Sequence, residues 1–194
     1  MSDIASGKER RKPKPATQER LRKAALFYID RYATSGEHLK SVLMRRVIHS
    51  ARLHDTDQQE GRIWIDEIVA DLVNRRLIDD RAFAETRTIS LHRGGASRRK
   101  ISMSLKMKGI GPDDIEAALR ALDENHDNAE LVAARNYARR RRFGPWRNGE
   151  ERTDRRDRDL AAMARAGFSF RMAQRVIDAA DIDALDQDVA NPDY

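Results

Sequence analysis

The chain has 194 residues and a formal net charge of +6, with 40% apolar, 36% charged and only 6% aromatic side chains and no cysteine. Those totals exclude disulfides, a thiolate nucleophile and a thiolate metal site, and apolar stretches of only a few residues exclude a membrane-spanning helix or a secretory h-region. Heavy charge over few aromatics suits small helical modules with thin cores, and a cysteine-free chain is compatible with the cytoplasm, the expected location.

Residues 1–16, MSDIASGKERRKPKPA, lack apolar periodicity and contain two prolines, which predicts a disordered basic arm. A first three-helix module is expected over 17–78. Thr17 caps a helix whose inward positions are Leu21, Ala25, Tyr28 and Tyr32. Thr34 and Glu37 form a capping-box pair for a second helix carrying Leu39, Val42, Leu43 and Val47. HDTDQQEG (54–61) reads as a polar break before a third helix with Trp64, Ile65, Ile68, Val69 and Leu72 inward.

The pattern restarts in a second module, 79–126. Asp79 caps, and Ile78 is placed to staple onto Phe83. Gly94 and Gly95 break that helix near His92, and Ser97 caps the next, with Ile101 and Leu105 inward and Gly109 at its C-terminus. Pro112 sits at the N1 position of a third helix striped by Ile115, Ala118, Leu119 and Leu122. A third module, 127–182, opens on the capping-box pair Asp127 and Glu130 and runs through Leu131, Ala134 and Ala138 into ARRRR. The segment 143–154 reads as a loop, Leu160 and Met163 lie on the next helix, Gly167 ends it, and Ser169 caps a last one with Met172, Val176 and Ile177. Residues 183–194 read as an acidic, frayed tail.

These rounds are a repeat. Ser35, Leu39 and Leu43 have the spacing of Ser97, Ile101 and Leu105, and Leu105-x-x-x-Gly109-Ile110 matches Met163-x-x-x-Gly167-Phe168, although Leu160 falls one residue away from where Ile101 predicts it. Three short helices bury little alone, so neighbouring modules are expected to stack: the predicted fold is all-α, three tandem three-helix modules.

Charge is segregated along the chain. Residues 81–111 carry eight Lys/Arg against one Glu, and 135–158 carry ten Arg against four acids. Residues 112–130 carry seven acids against Arg120, and six Asp follow from Asp178. This suggests a polyanion-binding stripe with acidic surface elsewhere, the bland reading being solvated helix faces. The turn GIGPDD between two helices invites a DNA-reading helix-turn-helix assignment, but Asp113, Asp114 and Glu116 on its second helix would face phosphates and be repelled. Acids in a first turn serve the helix dipole instead, so that helix is scaffold. The candidate DNA- or filament-binding residues are therefore Arg93, Arg98, Arg99, Lys100, Lys106, Lys108, Arg139, Arg140, Arg141 and Arg142. They come without a base-reading Asn/Gln set, which predicts little sequence specificity. Met103 and Met107 are expected to pack against a neighbouring module, the alternative being a contact with a protein partner, and Trp146 is expected to anchor its loop.

Enzyme signals are absent. His38, His49, His54, His92 and His126 show no metal-ligand spacing, there is no GxxxxGK[ST] loop, and Asp79 and Asp80 are better explained as a helix start than as a metal pair. No catalytic residue, metal or cofactor is expected.

Three segments resemble the RecX family, bacterial regulators of the RecA recombinase: LIDDRAFAETR (77–87), GGASRRKISMSLKMKGI (94–110) and LAAMARAGFSFRMAQRVI (160–177). The residues matching the family's pattern are Leu77, Asp79, Phe83, Ala84, Ile101, Leu105, Gly109, Ile110, Gly167 and Phe168, mostly structural. The resemblance implies tandem three-helix modules in an elongated, curved array. It also implies a partner, the RecA filament on single-stranded DNA, held in the filament groove. There the protein would modulate, usually inhibit, strand exchange, ATP hydrolysis and LexA-type coprotease activity, a role in homologous recombination, DNA repair and the SOS response. ATP would belong to RecA. Duplex DNA is a further candidate ligand, and a monomer without membrane contact is expected. Two other classes stay open: a helical-repeat nucleic-acid binder that works without RecA, and an interaction scaffold whose charge is only solubilising.

Overall fold

The computed structural model describes residues 14–190, so most of the basic arm and the last four residues lie outside the described part. It is all-α, with ten α-helices and one 3-10 turn and no strand among the described residues. The chain forms two compact units, Met1–Ile78 and Asp79–Tyr194.

The first unit contains α1 (Gln18–Ile29), α2 (Gly36–Ala51) and α3 (Gln58–Asn74). Leu21 and Ala25, then Leu39, Leu43 and Val47, then Ile65, Ile68, Val69 and Leu72 meet in one core, as the helical spacing predicts. Thr17 caps α1 as expected, accepting from the Arg20 N–H. Three local expectations change. The cap of α2 is Ser35, whose Oγ accepts from the His38 N–H at 3.2 Å, while the Thr34 hydroxyl donates to the Ser35 carbonyl. Asp57 accepts from the Gln59 N–H at 2.7 Å and starts α3 inside the polar segment taken as a break. Tyr32 lies beyond the end of α1 and is exposed rather than inward. Ile78 is buried in this first core, and Phe83 packs on a core of the second unit.

The second unit holds two cores. Around the first stand α4 (Asp80–Arg93), α5 (Arg98–Lys106) and α6 (Pro112–Asn125), burying Ala84, Ile101, Leu105, Ile110, Ala118 and Leu122. Asp79 and Ser97 cap α4 and α5 as predicted, accepting from the Ala82 and Lys100 N–H groups. Around the second stand α7 (Ala129–Arg141), a 3-10 turn (Gly144–Trp146), α8 (Gly149–Arg165), α9 (Phe170–Ile177) and α10 (Ile182–Ala190). Leu131, Ala138, Met163, Phe168, Val176 and Leu185 are buried there, with the displaced Leu160 beside them.

This half departs furthest from expectation. Asp127 and Glu130 form no capping box: α7 starts from Asn128 in the left-handed region, and Glu130 instead accepts the Arg98 N–H at 3.0 Å. The loop after Phe143 is short, because α8 already begins at Gly149. Up to residue 190 the acidic end is not a frayed tail. Residues 182–190 form α10, with Leu185 in the core and Asp186 and Asp188 paired with Arg135 and Arg175. Burial of one leucine plus two ion pairs overrides an Asp-rich composition.

Within this unit the two cores are stitched together. The Ser97 hydroxyl donates to the Ala166 carbonyl at 2.7 Å, and the His92 Nε2–H donates to the Ala129 carbonyl at 2.7 Å. Gly95 has φ 76°, and a Cβ on it would stand 2.6 Å from the Tyr137 backbone nitrogen, so α4 and α7 meet at a distance only glycine permits.

Candidate nucleic-acid interface

The basic side chains come from three helix positions in the second unit. The N-terminal half of α5 carries Arg98, Arg99 and Lys100, the last turn of α7 carries Arg139, Arg140 and Arg141 before Arg142, and α8 ends on Arg165. Cations in the last turn of a helix are favoured by its dipole, which is the local reason for a run of arginines at the end of α7.

Not all of the predicted residues converge. Lys100, Arg140 and Arg141 line one cleft of about 230 Å³ floored by Gly94, Gly95 and Tyr137. Lys100 and Arg141 also line a neighbouring cleft of about 290 Å³, with Phe143 and Arg165. The two clefts share Lys100, Tyr137 and Arg141, and no carboxylate lines either. Arg140 donates to the Gly94 carbonyl, and the Arg141 guanidinium stands 5.8 Å from the Tyr137 ring centre. Tyr137 is itself fixed by Phe143 and Phe168, at ring distances of 6.1 and 5.7 Å.

Arg98 is used otherwise: its guanidinium pairs with Asp123 on α6 while its N–H meets Glu130. Arg99 is exposed, its Cβ lying 3.3 Å from where a Cβ on Gly167 would stand. Arg93, Lys106, Arg139 and Arg142 are exposed and line neither cleft, and Lys108 is half-buried. Of the ten arginines in 135–158, Arg135 and Arg156 hold Asp186 and Asp178, Arg147 holds the buried Asp159, and Arg152 donates to the Ile177 and Ala180 carbonyls. These four brace the third core, so the basic run is less available than its composition suggests. Met103 and Met107 are 56% and 75% exposed, more than burial under a neighbouring module would leave, whereas Trp146 packs on the third core as expected.

Arg165 and Tyr137 were not singled out in the sequence. Arg165 is a lone cation outside the dense runs, and Tyr137 falls among alanines and arginines with nothing local to mark it as the floor of a groove. Among the described residues no group of three or more His, Cys, Asp or Glu is placed to hold a metal, and no helix is long and apolar enough to cross a membrane.

Fold and surface together define an all-α protein of small helical modules with a cation-lined groove. A family profile described as "RecX, second three-helix domain" matches residues 79–119. A regulatory protein RecX of Myxococcus xanthus is 40% identical over 170 residues, covering 87% of this chain and 90% of that one. Another from Agrobacterium fabrum is 31% identical over 156 residues, 80% of each chain. Among solved structures, a crystal structure of regulatory protein RecX superposes with a TM-score of 0.58 at 20% identity, over 83% of this chain and 71% of that one, a likeness of fold. The chain belongs to the RecX family.

Proposed function

We propose that this protein regulates the RecA recombinase, as an inhibitor, by binding the RecA filament on single-stranded DNA in its groove. Strand exchange, ATP hydrolysis and coprotease activity are the processes it modulates. The observation that carries the reading is the groove around Tyr137, where Lys100, Arg140, Arg141 and Arg165 converge without a carboxylate among its lining residues. Such a surface suits phosphates and reads no base edge. Membership of a family of regulatory proteins supplies the class of role, and the exposed Met103 and Met107 at the C-terminal half of the basic helix α5 suit a contact with protein subunits. The reading takes residues 17–78, 79–126 and 127–190, the last extended by α10, as three modules of one monomer acting in the cytoplasm, without a cofactor of its own.

The test is RecA's ATPase on single-stranded DNA with this protein titrated well below one copy per RecA subunit. Inhibition at such ratios means action on the filament, because competition for DNA would need far more protein. No effect at any ratio, with DNA binding intact, moves the function to a stand-alone nucleic-acid binder. The residues are tested with Lys100→Glu and Arg141→Glu together, expected to weaken filament and DNA binding at least tenfold while the far-ultraviolet spectrum stays unchanged; unchanged binding removes the groove from the reading. Arg98 is the wrong place for reversal, since a glutamate there would face Asp123 and Glu130.

A further inference from the structure

The first unit has a cation-lined cleft of its own, about 650 Å³, between the lead-in to α1 and the outer face of α2. Lys14 and Arg20 stand on one side, and Arg45, Arg46 and His49 on the other. Helical spacing explains the second wall: His49 follows Arg45 by four residues and Arg46 by three, so all three project from one stretch of α2 while Leu43 and Val47 face the core. Arg45 and Arg46 are exposed, and no carboxylate lines the cleft. Elsewhere in this unit Arg22 and Arg75 pair with Asp71, Lys23 with Glu19 and Lys40 with Asp66, so those four cations are already engaged.

The cleft is also built. Its first wall is tied to α2 by the Ala16 N–H, which donates to Ser50 Oγ at 2.8 Å, and Ser50 is buried and lies 2.7 Å from Thr56 Oγ1. Arg20 reaches back to donate to the Pro15 carbonyl at 2.7 Å, which fixes its direction. Leu21 and Val42 supply the apolar part of the lining, and no Phe, Tyr or Trp lines the cleft.

We infer that this cleft is a second nucleic-acid contact, taking the phosphodiester backbone of a single strand through Arg45 and Arg46, with Lys14, Arg20 and His49 around them. It rests on the reading of this protein as a nucleic-acid-binding regulator and extends that reading to the first unit. Cationic donors without a Phe, Tyr or Trp platform and without base-reading amides make the contact indifferent to sequence. DNA and RNA present the same backbone, so the ribose decides between them.

The experiment uses the full chain and fluorescence anisotropy of a short labelled oligo(dT) and its oligo(rU) counterpart, across a salt series starting at about 50 mM. Arg45→Glu with Arg46→Glu is expected to weaken binding at least tenfold. Replacing both by alanine should flatten the slope of log affinity against log salt by about 1.4, the release from two single-strand phosphates. Arg52→Glu with Arg62→Glu, matched in charge and outside the cleft, should change affinity less than twofold. Ser50→Ala, which releases the first wall, should fall between. Loss in both arms, or in one, supports the cleft and says whether the sugar matters. Equal loss from the matched pair, an unchanged slope, or no binding by the wild type overturns it. A protein that passes here yet leaves RecA's ATPase untouched keeps the cleft and loses the RecA reading.

Discussion

Five helix ends in this chain use one device at the scale of a single residue. A residue in the left-handed region follows the helix, and the next N–H reaches back to a carbonyl five residues earlier. Ala96 bonds Leu91, Ile110 bonds Leu105, Phe168 bonds Met163, Leu77 bonds Leu72 and Phe143 bonds Ala138. Glycine provides the left-handed residue at 95, 109 and 167, but arginine does so at 76 (φ 57°) and 142 (φ 55°). A side chain there costs about 1 kcal/mol, so Arg76→Gly is expected to stabilise by about 0.5–1 kcal/mol and raise the melting temperature by about 2 °C. Thermal denaturation checks this, and a lower midpoint would show the Arg76 side chain in a role that outweighs its backbone. Asp159 is the opposite case. It accepts two bonds from Arg147, at 2.8 and 2.9 Å, in a buried setting, and that pairing holds the Arg147 guanidinium above its ordinary pKa. Asp159→Ala should cost about 3–5 kcal/mol in chemical denaturation, by stranding a half-buried cation. Ser97, Ser169 and Asp79 were legible as caps because a cap is decided within four residues. Asp159 was not, since nothing in RTDRRDRD says which acid turns inward.

At the scale of an element, α10 and the start of α7 depend on carboxylates that respond to pH in opposite senses. The hydrogen bond from Arg175 holds Asp188 below the usual carboxylate range. Its contribution is therefore full above the unfolded value of about 3.9 and is lost as pH falls through the lower folded value. Acidification should loosen α10 before the helices that rest on apolar packing, which hydrogen exchange over residues 182–190 would register as early loss of protection; uniform loss would show that Leu185 alone holds the helix. Burial pushes Glu130 up, against the pull of the Arg98 N–H. A raised carboxyl favours folding below its unfolded value and loses that contribution as pH rises through the folded one. Glu130→Gln keeps an acceptor for the Arg98 N–H without a buried charge. It should match or exceed wild-type stability at neutral pH, while Glu130→Ala should lose about 1–3 kcal/mol by orphaning that N–H. The helices themselves were legible from apolar spacing. α10 was hidden because its partners, Arg135 and Arg175, lie far off in the chain, and an Asp-rich segment without them reads as a tail.

At the scale of the molecule, the segregated charge was legible as composition, but its division of labour was not. Arg135, Arg147, Arg152 and Arg156 brace the third core, and only contacts made by folding separate them from Arg140, Arg141 and Arg165 in the groove. The groove therefore needs both cores of the second unit, since Lys100 belongs to one and Tyr137 to the other. The joint between them is polar and close: Ser97 to Ala166, His92 to Ala129, Glu130 to the Arg98 N–H, and Gly95 against the Tyr137 backbone. Separating the cores would leave those groups without partners and expose the apolar edge at Ala129, which is counted in the core of α4–α6 although it opens α7. A fragment of about 50 residues has little core with which to absorb that loss. Residues 79–190 should accordingly melt as one cooperative helical unit and show the oligonucleotide binding proposed for the groove, whereas 79–126 alone should show a broad, low transition and no binding. Circular dichroism melts and anisotropy on the two fragments decide it: a sharp transition from 79–126 would make the cores independent and the groove a meeting of two surfaces that fold apart.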